Sequence, residues 1–291
     1  TNCHLALSPS GATTLLHELP GILELDLSEN PLSASVAQAV CEHASASCPS
    51  LSALSLSGSF ADDEACLACM TLPAPLHRLD LSWSRVSGEG AQLVAAGLGE
   101  RLAECRLSNL PGLQAGDASR FLPALARIAR LHLGGNELDA DDCEAVARLP
   151  TSLTALNLRD ARLVGVGRHA AFERLLTIPS LTELCVGGIT GGGGDRGDGE
   201  GDLPREADPI DPPASLTHLD CADCSFEPQC APALAACIRR SRHSLQHAEL
   251  RRAPHTVGCW VLDPAMAADD EGGSFPSLAL LDVTGSLTQA S

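Results

Sequence analysis

The sequence predicts an α/β solenoid: one domain of about ten to eleven stacked strand–turn–helix units whose short strands form a parallel sheet. Three observations carry this expectation. An apolar pattern, L-x-x-L-x-L-x-x-(N/C/small), begins at Ile22, Leu51, Leu76, Leu102, Ile128, Leu153, Leu181, Leu216, Leu245 and Leu278. Successive starts lie 25 to 35 residues apart, room for a strand, a turn and a helix in each unit. The 44% hydrophobic content rests on Leu, Ala, Val and Cys, with aromatics at 2%. Such side chains suit a thin, repetitive core.

Each strand centres on the fourth and sixth positions of the pattern. The fourth runs Leu25, Leu54, Leu79, Cys105, Leu131, Leu156, Leu184, Leu219, Ala248 and Leu281, and the sixth runs from Leu27 to Val283. Alternation along a strand sends these inward and the third, fifth and seventh positions outward, onto the concave surface. A partial copy, Leu5-x-Leu7, precedes the first unit.

Helices belong between the strands. Ser33–His43 places Val36 and Val40 four residues apart, with Ala37 and Cys41 beside them. Segments 118–127, 141–149 and 168–176 repeat this spacing. Acidic clusters, Asp62-Asp63-Glu64 and Asp139, Asp141 and Asp142, stand at helix starts. Carboxylates there satisfy free N–H groups and meet the positive end of the helix dipole.

Two segments interrupt the rhythm. Residues 187–213 hold seven acids and two arginines among many glycines, which predicts a flexible acidic loop. Its glycines lack the strand–glycine–helix context and the Lys of a phosphate cradle. Residues 252–276 carry scattered prolines and glycine pairs around Trp260 and read as an irregular excursion. Strand-like residues run from near Leu5 to near Val283 with little polar sequence to close the stack. Solenoid ends need covering, so further sequence or a partner is expected there.

These ten copies resemble the leucine-rich-repeat family over roughly residues 3–287. The long repeats are most similar to its ribonuclease-inhibitor-like subfamily, which implies a horseshoe with a concave parallel sheet and convex helices. The family's ninth-position asparagine appears only at Asn30 and Asn136, with Cys at Cys224.

Charge and composition remove several functions. The chain has 19 basic residues, all arginine, against 37 acidic ones, for a net charge of −18 and a sequence pI of about 4.8. Without Lys there is no P-loop, kinase or Schiff-base chemistry. An acidic, aromatic-poor chain is a poor ligand for nucleic acid. No apolar run approaches the roughly 18 residues of a membrane span, and no signal-peptide pattern opens the sequence. Thirteen scattered cysteines and the lack of a glycosylation sequon predict free thiols in a reducing, intracellular setting, cytoplasmic by default.

The outward columns hold the candidate binding residues. The third position offers Arg78, Glu104, Arg130, His218 and His247; the fifth offers Asp26, Asp80, Arg106, His132, Asn157, Asp220 and Glu249. Arg78, Glu104 and Arg130 alternate in sign, as do Asp80 and Arg106, which either neutralises the surface or matches a partner's charges. His218, Asp220, His247 and Glu249 group ligand types that a divalent metal uses. Cys221-Ala-Asp-Cys224 with Cys230 and Cys237 imitates a zinc run, but the register puts these thiols in the core. Cys66-Leu-Ala-Cys69 lies on a helix without the strand context of a redox motif.

The sequence therefore predicts a non-catalytic protein-interaction or scaffold module without cofactor, within a hetero-oligomeric assembly, binding through the concave face and the exposed ends. Two alternatives are a GTPase-activating regulator, implied by one branch of the ribonuclease-inhibitor-like subfamily, and a metal-dependent enzyme at His218 and His247.

Overall fold

The computed structural model describes residues 8–60, 62–73, 75–191, 215–224, 231–251 and 277–282. The chain divides into two compact units, Thr1–Asn136 with Arg148–Leu153, and Glu137–Ala147 with Thr154–Ser291. Both are built as α/β solenoids from the predicted repeat.

The first unit opens with helix α1 (Pro9–His17). Its strands β1 (Glu24–Asp26), β2 (Ala53–Ser55), β3 (Arg78–Asp80), β4 (Glu104–Arg106) and β5 (Arg130–His132) pair in parallel and in sequence order. Between them run α2 (Ala34–Ser47), α3 (Glu64–Ala68), α4 (Gly88–Leu98) and α5 (Ala118–Phe121). The register sets Leu25, Leu54, Leu79, Cys105 and Leu131 side by side, all buried. Every repeat thus covers the apolar edge of its neighbour.

The second unit contains β6 (Glu137–Leu138), α6 (Ala140–Ala147), β7 (Ala155–Asn157), β8 (Arg162–Leu163), α7 (Arg168–Leu175), β9 (Glu183–Cys185), β10 (Thr190–Gly191), β11 (His218–Asp220), α8 (Ala231–Arg240), β12 (His247–Glu249) and β13 (Leu280–Asp282). Strands β7, β9, β11, β12 and β13 form a parallel ladder. The short β6, β8 and β10 form a second parallel sheet in the order β10-β8-β6.

The turn after each strand follows one backbone rule. The eighth position is left-handed in all eight described copies: Glu29, Gly58, Trp83, Asn109, Gly135, Asp160, Gly188 and Asp223 have φ between 55° and 70°. At Glu29, Gly58, Trp83, Asn109, Asp160, Gly188 and Asp223 its N–H donates to the seventh-position carbonyl of the next repeat, as from Gly58 to Ser82 at 2.7 Å and from Asn109 to Gly134 at 2.8 Å. Gly, Asn and Asp adopt this conformation readily, whereas Glu29 and Trp83 bear a steric cost. At Gly135 glycine is also needed for space, because a Cβ there would lie 2.0 Å from Asn109 Oδ1.

The asparagine ladder is replaced at some repeats and lost at others, where Leu110, Ala161 and Ile189 hold the ninth position without a side-chain donor. Asn136 Nδ2 donates to the carbonyls of Leu107 and Leu133 at 2.7 and 2.9 Å, and its Oδ1 accepts from Leu110 N–H at 2.9 Å. At the same ninth position, Ser59 Oγ donates to Leu27 O at 2.8 Å and Ser84 Oγ to Leu56 O at 3.2 Å. Cys224 Sγ donates to Val186 O at 2.8 Å. Each of these four residues reaches the sixth-position carbonyl of the preceding repeat, so a hydroxyl or thiol makes the same bond as the asparagine amide.

Helix boundaries differ from expectation where proline and glycine intervene. Segment 118–127 is helical only to Phe121 and then tightens into a 3-10 turn at Leu122–Ala124. Pro123 has no N–H to continue the ladder. Helix α4 carries Gly88, Gly90 and Gly97, which weakens its signal in the sequence. Gly90 permits a close approach, since a Cβ there would stand 2.3 Å from Asp63 Oδ1. That carboxylate accepts from the N–H of Ser87, the α4 N-cap, at 2.8 Å, and from its hydroxyl. Asp63 therefore anchors Ser87, whose own hydroxyl caps the helix of the next repeat by accepting from Glu89 N–H at 3.1 Å. Asp139 and Asp142 cap α6 reciprocally, each carboxylate accepting from the other's N–H at 2.9 and 3.1 Å.

Of the predicted acidic loop, Gly187–Gly191 lies within the repeat: Gly188 N–H bonds to Ala222 O at 2.7 Å, and β10 pairs with β8. The rest of that loop, the excursion at 252–276 and the partial copy at Leu5 lie outside the described residues.

Candidate functional site

The outward columns stand in register. In the first unit, the third position runs Glu24, Ala53, Arg78, Glu104, Arg130 and the fifth Asp26, Ser55, Asp80, Arg106, His132. In the second, Ala155, Glu183, His218, His247, Leu280 lie beside Asn157, Cys185, Asp220, Glu249, Asp282. Each predicted site residue is therefore on the expected face of its own unit.

Glu104 is the hub of the first unit's face. Arg106 reaches Glu104 Oε1 with both Nε and Nη2 at 2.7 Å, while Arg78 Nε and His132 Nε2 lie 3.9 Å from its carboxylate. Arg106 Nη1 is also 4.0 Å from Asp80 Oδ2. Burial and the neighbouring Arg106 cation push the His132 pKa below 6.5, outweighing the opposite pull of Glu104 and Asp80.

The Asp and Asn residues of the fifth position have a second role that periodicity does not reveal. Asp26, Asp80, Asn157 and Asp220 each accept, through Oδ1, from the N–H two residues on, at 2.9 Å in every case. These Asx bonds close the turn after the strand. The hydroxyl and N–H of Ser28 hold the Asp26 pKa below its usual value.

The second unit's face centres on Asp220. Its Oδ2 accepts from Arg159 Nη1 at 2.9 Å and from Cys185 Sγ at 3.2 Å. Burial, then the Asp220 charge, push the Cys185 pKa up to about 12. His218 and His247 are stacked, with centroids 4.6 Å apart and planes inclined by 11°. His218 Nδ1 bonds the Thr217 hydroxyl at 2.9 Å, and His247 Nδ1 is shielded without a hydrogen-bond partner among the described residues.

This stack does not suit the proposed metal pair. A cation lies near the plane of each imidazole that ligates it, about 2.0–2.1 Å from the nitrogen for zinc. Nearly parallel planes stacked face to face share no such point. Among the described residues, no group of three or more His, Cys, Asp or Glu is placed to hold an ion. Cys221, Cys224 and Cys237 are buried core thiols, and burial pushes Cys224 and Cys237 up to about 12. Cys66 and Cys69 are buried and raised as well, with Cys41 against Cys69. Cys230 lies outside the described residues.

Three residues were not among the candidates, although Arg159 stands at an outward seventh position. Arg159, in a turn, supplies the cation that Asp220 holds. Trp83 and Glu29, also in turns, are exposed and left-handed. Their only signal is a large side chain at a position where Gly, Asn or Asp otherwise stands.

The comparisons agree with this architecture. A family model described as Leucine Rich repeat matches residues 74–95, the repeat that contains β3 and most of α4. Over 96% of this chain and 89% of the other, the fold is similar to that of the leucine-rich repeat-containing protein LegL7 from Legionella pneumophila, at 18% identity and a TM-score of 0.51. An internalin C2 from Listeria monocytogenes str. 4b F2365 aligns over 67% of this chain and 87% of its own, at 17% identity and a TM-score of 0.41. No curated protein matches the chain. The repeated ladder, the family match over one repeat and the shared architecture give this chain a leucine-rich-repeat fold.

Proposed function

We propose that the chain is a non-catalytic protein-interaction and scaffold module, a subunit or domain of a larger assembly. It binds protein through the outward strand columns: Asp26, Arg78, Asp80, Glu104, Arg106, Arg130 and His132 in the first unit, and Asn157, His218, Asp220, His247 and Glu249 in the second. The observation that carries this reading is the lane of charged side chains in register around Glu104, with Arg78 and Arg106 still about two-fifths exposed. Such a lane matches a partner's charges and sets its register more than it adds affinity. Ten described cysteines, all free, support a reducing, intracellular location. Helices α2 and α4, 14 and 11 residues long, support the ribonuclease-inhibitor-like arrangement, although α3 and α5 have only 5 and 4.

The test is capture from a lysate of the source cells, comparing the natural chain with one carrying Arg78→Ala, Arg106→Ala and His132→Ala. Loss of a specific protein from the variant's captured set is expected. An identical set from a folded variant overturns the assignment of this face.

A further inference from the structure

The eighth column of the first unit places Glu29 and Trp83 on either side of Gly58. All three are left-handed, with φ of 61°, 67° and 61° in chain order. Glu29 N–H donates to Ser57 O and Gly58 N–H to Ser82 O, each at 2.7 Å, so the three turns are locked in succession. Two strand spacings then separate the Glu29 and Trp83 backbones by about 10 Å. Between them Gly58 carries no side chain, and the nearest atoms to a Cβ placed there, Glu29 Cα and Cγ, lie at an ordinary contact distance of 3.8 Å. Trp83 is 67% exposed, and Glu29 and Gly58 are exposed too.

Neither large side chain is there for the backbone's sake. Gly58, Asn109 and Gly135 make the same turn in the same unit with little strain. A bulky residue kept in an unfavourable backbone region, with its side chain in solvent, points to a role for that side chain.

We propose that Glu29, Gly58 and Trp83 form a slot for one cationic side chain, arginine or lysine, of a protein partner. An indole attracts a cation to its face, a carboxylate pairs with it, and glycine leaves room for it to settle between them. The charge around the slot agrees. Glu24, Asp26 and Asp80 lie in the neighbouring outward columns, and the whole chain carries −18. Against them stand Arg78, near Glu104, and the exposed Arg85. The proposal rests on the interaction reading above and names the chemistry of one anchor on the partner.

The test titrates the full chain with Ac-Gly-Arg-Gly-amide at physiological salt, following the indole N–H signals by NMR. The isosteric citrulline peptide is the uncharged control. Trp83→Asn identifies the Trp83 signal, and Asn109 shows that asparagine suits this turn. Trp260 provides an internal reference. Saturable movement of the Trp83 signal with the arginine peptide alone is expected, with binding weakened roughly two- to fivefold by Glu29→Gln. No movement, equal movement with citrulline, or indifference to Glu29→Gln overturns the slot. Such a result leaves the strand-face reading standing, since lysate capture by the Arg78, Arg106 and His132 variant tests that separately.

Discussion

Asn136 donates its side-chain amide to the carbonyl oxygen of Leu107, 2.7 Å away in the preceding repeat. The same bond recurs from Ser59 to Leu27 and from Ser84 to Leu56, with a hydroxyl in place of the amide. One position is thus filled by different chemistry wherever a short donor can reach. Asn136 is 3% exposed and makes three bonds, so Asn136→Ala strands buried backbone groups. The expected cost is about 2–3 kcal/mol in urea unfolding, and about 1 kcal/mol for Ser59→Ala. Equal midpoints for both variants and the natural chain would refute the ladder's energetic role.

Left-handed turns make a second, oppositely signed pair. Trp83→Gly relieves a steric penalty of about 1–2 kcal/mol, partly offset by glycine's greater freedom in the unfolded chain. The variant should therefore be no less stable than the natural chain. Gly135→Ala should lose stability, since its φ is 70° and the new Cβ meets Asn109 Oδ1. Thermal unfolding followed by circular dichroism separates the two, and a destabilised Trp83→Gly would count against strain at that turn.

His132 carries a pH signature. Its folded-state pKa lies below 6.5, chiefly through burial, then through Arg106. The folded state therefore holds fewer protons than the unfolded one between its own pKa and about 6.5. Its contribution to stability is complete above about pH 6.5 and is lost as pH falls through the lowered value. In an NMR titration, Arg106→Gln should raise the His132 midpoint and Glu104→Gln should lower it. Shifts of the reverse sign would show that the face is wired differently.

Core thiols should resist modification. Burial pushes Cys105 and Cys143 up to about 12, leaving roughly one thiolate in ten thousand at pH 8. Peptide mapping after iodoacetamide treatment should find these positions unlabelled in the folded chain and fully labelled in urea. Rapid labelling without denaturant would show the interior to be open.

The repeat was legible because an apolar interior reached from one side forces Leu, Cys or Ala at fixed spacing. Leu25, Leu54, Leu79, Cys105 and Leu131 satisfy that requirement by volume and hydropathy alone. The outward columns were legible too, since a strand alternates its side chains. Helix α4 was obscured because Gly90 serves the carboxylate of Asp63, a partner that belongs to another repeat.

The sequence alone determined the solenoid class, the inward leucines and the outward position of residues such as Glu104 and His218, because these follow from period and polarity. Tertiary structure decided what each outward residue meets. It gave Glu104 to Arg106, Asp220 to Arg159, stacked His218 on His247, and set Glu29 and Trp83 about Gly58. The reason is that a repeat specifies its own side chains, whereas pairing depends on which repeat lies next to it and on how the left-handed turns between them aim the chain.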